Sequence, residues 1–147
     1  MLSLEIHKDD VKIFMGKLLR EGIFDTFESR MVEIVTTAMR VNIDGTKEEA
    51  SAGYSKWETV RPLAYEFIKQ TEKPKMLKII FSKESPDEIH KNAAALFLNL
   101  VYENDGVIFT TACAQKEFAM DKTMDVEWDN YVRKFLAEAK VSVSDRV

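Results

Sequence analysis

The stretch Ala93-Ala94-Ala95-Leu96-Phe97-Leu98-Asn99-Leu100-Val101-Tyr102-Glu103-Asn104-Asp105-Gly106-Val107-Ile108-Phe109-Thr110 decides the fold. Leu96, Leu98, Leu100 and Tyr102 alternate with Phe97, Asn99 and Val101. That period of two marks Ala93–Tyr102 as a strand. Asn104-Asp105-Gly106 follows, and a tight hairpin needs the positive φ that these residue types tolerate. Val107–Phe118 is then the return strand. Long strands joined by a tight turn pair antiparallel, which argues against a doubly wound sheet.

Upstream of the hairpin, Lys75–Ser82 reads as another strand, with Leu77, Ile79 and Phe81 on one face. Ser85-Pro86-Asp87-Glu88 carries a cap, a first-turn proline and an acidic third position, so a short helix is expected between the strands. Earlier still, Ser55-Lys56-Trp57-Glu58 matches a capping box and opens a helix with Trp57, Val60, Ala64, Phe67 and Ile68 on one stripe. Pro62 leaves two readings. With Ser55 as cap it lies inside the helix and kinks it; with a start near Thr59 it falls in the first turn at little cost.

The N-terminal third supplies the rest of the sheet. Leu2, Leu4 and Ile6 alternate as a short strand. Asp9 or Asp10 is placed to cap a helix, whose stripe is Val11, Phe14, Met15, Leu18 and Leu19, and Gly22 stops it. Residues Arg30–Ile43 are rich in Val, Ile, Thr and Met and read as one strand. Asp44-Gly45 signals a hairpin with a charged return strand over Thr46–Glu49, and Ala50–Gly53 is expected to be a mobile loop. At the other end, Asp125–Lys140 forms a helix with Trp128, Tyr131, Val132, Phe135, Leu136 and Ala139 on one face. These elements make a single α+β domain over residues 1–140, with a frayed tail at 141–147. Its mostly antiparallel, twisted sheet has about six strands, on which two long helices and one N-terminal helix pack.

Composition bounds the function. A chain of 147 residues is one domain's length. It is 46% hydrophobic and 31% charged, the balance of an ordinary globular domain. Its net charge of −4 disfavours general binding to nucleic acid or membranes. The longest apolar run, Ala93–Leu98, has six residues, far below the ~18 of a membrane span. The first residues carry no export pattern, and a lone Cys113 can form no internal disulfide, so a reducing cytoplasm is expected. Phosphate loops, nucleophile elbows and zinc-protease motifs are missing from the sequence.

Few residues invite chemistry. His7 and His90 lie far apart in the chain and read as surface or capping residues. Cys113 shares a strand face with Val107, Phe109 and Thr111 and reads as core, since no neighbouring cation lowers its pKa. Asp121, Asp125 and Asp129 recur every four residues. That ridge suits a hard cation only with ligands from elsewhere, and it also suits a helix N-terminus. No catalytic, cofactor or metal site is therefore assigned. Charge is polarised instead: Lys56–Lys83 has seven basic and three acidic residues, whereas Leu98–Ala139 has four basic and eight acidic.

Three further groups carry a resemblance. Tyr54-Ser55-Lys56-Trp57, Arg61-Pro62, Phe67-Ile68-Lys69, Pro74 and Leu77-Lys78-Ile79-Ile80-Phe81 form the first. The second is Asp10-Val11-Lys12-x-Phe14-Met15-x-Lys17-Leu18-Leu19. The third is Phe97-Leu98-Asn99-Leu100-x-Tyr102 with Trp128-Asp129-x-x-Val132-x-Lys134-Phe135-Leu136. Together they resemble a family of small bacterial proteins, mainly from anaerobic gut Firmicutes, classed as a domain of unknown function. The resemblance covers nearly the whole chain. It implies one intact domain and brings no established activity, cofactor or catalytic residue.

The reading that follows is a non-catalytic cytoplasmic module for interaction or regulation, with self-association between its basic and acidic surfaces as one form. The alternative is nucleic-acid association through Lys56, Trp57, Arg61, Lys69 and Lys73, which requires all five on one exposed face. A third reading is an enzyme using carboxylates, with Asp121, Asp125 and Asp129 as the group to test.

Overall fold

The computed structural model describes residues 1–49, 53–70 and 73–146. The loop expected at 50–53 lies outside these residues except for Gly53. The strands are β1 (Ser3–Ile6), β2 (Glu28–Val35), β3 (Arg40–Asp44), β4 (Met76–Ser82), β5 (Ala93–Glu103), β6 (Gly106–Gln115) and β7 (Val143–Asp145). The helices are α1 (Val11–Gly16), α2 (Trp57–Lys69) and α3 (Thr123–Glu138). The strands form one antiparallel sheet in the order β3-β2-β4-β5-β6-β1-β7. This is the expected single α+β domain, with seven strands rather than six.

The 93–110 hairpin forms as its sequence predicts. Asn104 and Asp105 both take positive φ, 53° and 61°, which gives the turn the twist the strands need. The alternating residues then sort by face. Leu96, Leu98, Leu100 and Tyr102 of β5 and Val107 and Phe109 of β6 are buried, beside Leu77, Ile79 and Phe81 of β4. All three helices cover this face. Phe24 stacks on Phe81 at 4.9 Å, Phe14 meets Phe109 edge-on at 5.6 Å, and Phe27 meets Phe135 at 4.8 Å. Such aromatic pairs add to area burial because ring edges and faces carry opposite partial charge. The second face alternates half-buried apolar and polar residues, such as Ile80 beside Asn99 and Val101 beside Ile108.

Several expectations need correction. Residues 30–43 are two strands, because Thr36 builds a turn of its own: its hydroxyl accepts from the Ala38 and Met39 amides at 3.2 and 3.1 Å. A β-branched residue thus serves as turn former. The signal at Asp44-Gly45 is no hairpin. Gly45 instead brings β3's end against β2, where a Cβ would stand 1.7 Å from the Ser29 carbonyl oxygen. Residues 46–49 form no return strand; only Thr46 makes a bridge, to Tyr54.

The Ser55 capping box does not form either. Ser55 is extended, its amide donating to the Gly45 carbonyl at 2.7 Å and its carbonyl accepting from Ser29 at 2.8 Å. Lys56 occupies the cap position, and the Phe27 carbonyl accepts from Trp57 N–H at 2.9 Å. Pro62 is therefore inside α2. Its missing N–H leaves the Glu58 carbonyl without a helical donor on an exposed turn, where water can serve.

At the N-terminus, α1 runs into a wider π turn over Lys17–Glu21 and ends at Gly22 as expected. Asp10 stands at the cap position without a side-chain bond, and His7 Nδ1 accepts from Asp9 N–H one turn earlier. The short helix expected after Ser85 is a single 3₁₀ turn, Pro86–Glu88, with Pro86 at its start; Ser85, at a φ of 55°, makes no cap bond. β6 stops at Gln115, short of Phe118, and α3 starts at Thr123. The 141–147 tail is not frayed throughout: Val143–Asp145 pairs with β1, and Asp145 accepts two bonds from Arg133 at 3.0 and 2.7 Å.

Candidate functional site

α1 and α2 lie antiparallel on the sheet. Trp57 Nε1 donates to the Leu18 carbonyl at 3.1 Å at one end, while Ile68 shares a chamber with Val11 and Met15 at the other. Between the helices runs a groove floored by Met15, Leu19, Tyr65 and Ile68. Its chamber at the open end holds about 430 Å³ and is closed by Pro74 and Tyr102. The floor is apolar because each helix has a broader stripe than the sheet can cover. Phe14, Leu18 and Leu19 belong to the buried core, and Met15, Tyr65 and Ile68 pack against it only partly buried, between the helices.

The groove's lips are cationic. Lys8, Lys12 and Arg20 fall on one lip at multiples of four residues, with Gly16 filling the vacant place in the row. Residues four apart share a helix face. A Cβ on Gly16 would stand 2.8 Å from Arg20 Nη2, so glycine lets that guanidinium lie across the helix. On the α2 side Arg61 and Lys69 fall in one row, with the floor residue Tyr65 four residues from each. Among the described residues that line the groove and the adjoining turns are seven cations and three carboxylates, Glu66, Glu103 and Asp105, and Asp25 holds one of the cations, Arg61. Lys69 pairs with Glu66 at 2.8 Å, and Lys73 pairs with Asp105. Among the described residues, Lys8, Lys12, Arg20 and Lys75 make no ion pair. A net −4 chain thus concentrates positive charge along one apolar groove.

The five residues singled out from sequence part company. Lys69, Lys73 and Arg61 belong to this groove. Lys56 is at the opposite end of α2, ~20 Å away along thirteen residues of helix. There it pairs with Glu84 at 2.8 Å, which raises the Lys56 pKa and lowers that of Glu84. Trp57 is 0% exposed and has no free face on which a base could stack. Arg61 is held by Asp25 through two bonds of 2.9 and 3.0 Å, and it also donates to the Leu19 and Arg20 carbonyls. It closes the C-terminal end of the α1 segment. Tyr54 is engaged elsewhere too: Arg30 lies between its ring and Phe97, at 4.1 and 4.8 Å.

The other candidates have separate local partners. Asp121 accepts from Thr123, Asp129 accepts from the Thr111 hydroxyl at 2.6 Å, and Asp125 lies 3.9 Å from Lys122. No group of three His, Cys, Asp or Glu side chains among the described residues is placed to hold a metal ion. His7 follows β1 beside the β5–β6 turn, and His90 precedes β5 at the other end of the sheet. Each accepts a backbone N–H through Nδ1. Burial pushes the Cys113 thiol up to about 12, with Asp125 adding to the rise, so it stays protonated. No helix of the described residues is long and apolar enough to cross a membrane.

Sequence reading missed Lys8, Lys12, Met15, Leu19 and Arg20. The four-residue spacing of the cations was the available signal. What it lacked was the identity of the facing helix, which only the tertiary pairing of α1 with α2 supplies. Comparison with known proteins adds one finding. A model for a family of unknown function, DUF5721, matches residues 17–144, and the chain belongs to that family. No curated protein and no solved structure matches the chain.

Proposed function

We propose that this DUF5721 member is a non-catalytic cytoplasmic interaction module whose α1–α2 groove takes an acidic, amphipathic segment of a protein. One observation carries the reading: an apolar floor of Met15, Leu19, Tyr65 and Ile68 with Lys12 and Arg20 on one side and Lys69 on the other. Apolar side chains of a partner would fill the floor, and its carboxylates would meet Lys12, Arg20 and Lys69. Burial of apolar groups supplies affinity, while charge on the rim supplies orientation and encounter rate. Burial of Trp57 favours this over single-stranded nucleic acid, because stacking needs an exposed ring.

The test is anisotropy with a fluorescein-labelled synthetic helix of Leu and Glu at amphipathic spacing, beside a labelled oligothymidine. Saturable peptide binding that weakens with salt and is lost in Lys12→Glu/Lys69→Glu is expected. Absence of peptide binding overturns the reading. Tighter, salt-dependent binding of the oligothymidine replaces it with the nucleic-acid alternative.

A further inference from the structure

The segment between β6 and α3 presents an unusual surface. Phe118 and Met120 are 88% and 84% exposed, and nearby Val126 is 54% exposed. Glu117, Asp121, Asp125 and Glu127 accompany them, against Lys116 and Lys122. Large apolar side chains exposed together, with polar residues around them, mark a contact surface.

The segment is also built to hold its shape. The Asn92 side-chain amide donates to the Glu117 carbonyl at 2.8 Å and accepts from the Glu117 amide at 3.0 Å. The Gln115 side chain makes the same reciprocal pair with Ala119, at 3.1 and 3.0 Å. Asp121 then accepts from Thr123 at 2.8 Å. Two side-chain amides thus replace the strand partner that β6 has lost. They fix alternate backbone positions while Phe118 and Met120 point outward. A preorganised finger binds without the entropy cost of ordering a loop.

From this we infer that the occupant of the α1–α2 groove is the Glu117–Asp121 finger of a second copy of this chain. The inference rests on the proposed role of the groove and names its partner. Finger and groove are complementary in both respects: two exposed apolar side chains among carboxylates meet an apolar floor among cations. They cannot meet within one copy. The finger follows Gln115, whereas the groove's open end lies beside Asp105, and the ten residues of β6 hold these ends ~30 Å apart. Each finger–groove contact therefore joins two copies, and it either repeats head to tail or is returned by the second finger and groove in a two-fold pair.

Sedimentation velocity of the full chain tests it. The wild type should associate, to a closed pair or to longer assemblies, as concentration rises and dissociate as salt rises. Phe118→Asp/Met120→Asp and Lys12→Glu/Lys69→Glu should each be monomeric, with association weakened more than about tenfold. Mixed together, they should form a one-to-one complex that stops at two copies, since one brings the intact groove and the other the intact finger. All four positions are exposed or on the rim, and circular dichroism should be unchanged. A monomeric wild type, or association that survives either variant, overturns the inference. If such a chain still binds the Leu/Glu peptide through Lys12 and Lys69, the groove's role stands and only the partner is wrong. If it does not, both fall.

Discussion

The two ends of α2 carry the same kinds of residue and use them oppositely. At the start, Trp57 is sealed in the core and Arg61 is tied to Asp25 and two carbonyls. At the end, Tyr65, Ile68 and Lys69 line an open groove. An aromatic next to a cation means anchor at one end and surface at the other. What decides is the facing segment: the π turn after α1 lies against Trp57, whereas Val11, Met15 and Ile68 line a chamber between the helices. Residue type alone could not separate the two ends.

The sharpest way to break this contrast is Trp57→Ala. Removing a fully buried indole together with its bond to Leu18 should cost about 3–5 kcal/mol, read from urea denaturation. A loss below about 1 kcal/mol would mean that this end is not an anchor. Next comes Arg61→Ala, expected to cost about 1–2 kcal/mol, since the pair with Asp25 is bidentate and only partly exposed. Arg61→Lys should not restore it, because an ammonium cannot reproduce the two-toothed contact. A double-mutant cycle with Asp25→Ala checks that the loss belongs to the pair.

Smaller effects sharpen the other side of the comparison. Lys12→Glu/Lys69→Glu should change stability by no more than about 0.5 kcal/mol, as exposed rim residues do. A larger drop would place the groove's lip in the core's accounting rather than on a binding surface. Smallest is Lys56→Met. Glu84 titrates below its ordinary range and Lys56 above its own. The pair's contribution is present above the unfolded glutamate pKa and is lost as pH falls through the folded value of Glu84. On the alkaline side it is present below the unfolded lysine pKa and is lost as pH rises through the folded value of Lys56. Thermal melts of wild type and variant should differ most near neutral pH and converge at both extremes.

Legibility followed locality. The 93–110 hairpin could be read because alternation and turn chemistry sit in one stretch and agree. Residues 30–43 were misread because the same β-branched run supplies both strands and the Thr36 turn between them. β7 was unreadable because three residues carry no pattern, and its strand character comes from β1 and from the Arg133–Asp145 pair. In the groove, Lys69 and Lys73 were visible as part of a basic run. Their apolar floor was not, since half of it belongs to α1.

The position of β1 in the sheet also sets a clock. Ser3–Ile6 pairs with Val107–Thr110 on one side and with Val143–Asp145 on the other. The first partner is about 100 residues downstream, which at ~5–20 residues per second is ~5–20 s of synthesis. Throughout that interval Leu4 and Ile6, nearly fully buried in the finished sheet, have no strand to join. Of the seven strands β1 is made first and docks among the last, so the nascent chain carries an unpaired apolar strand that must be kept from other chains until translation has delivered its place.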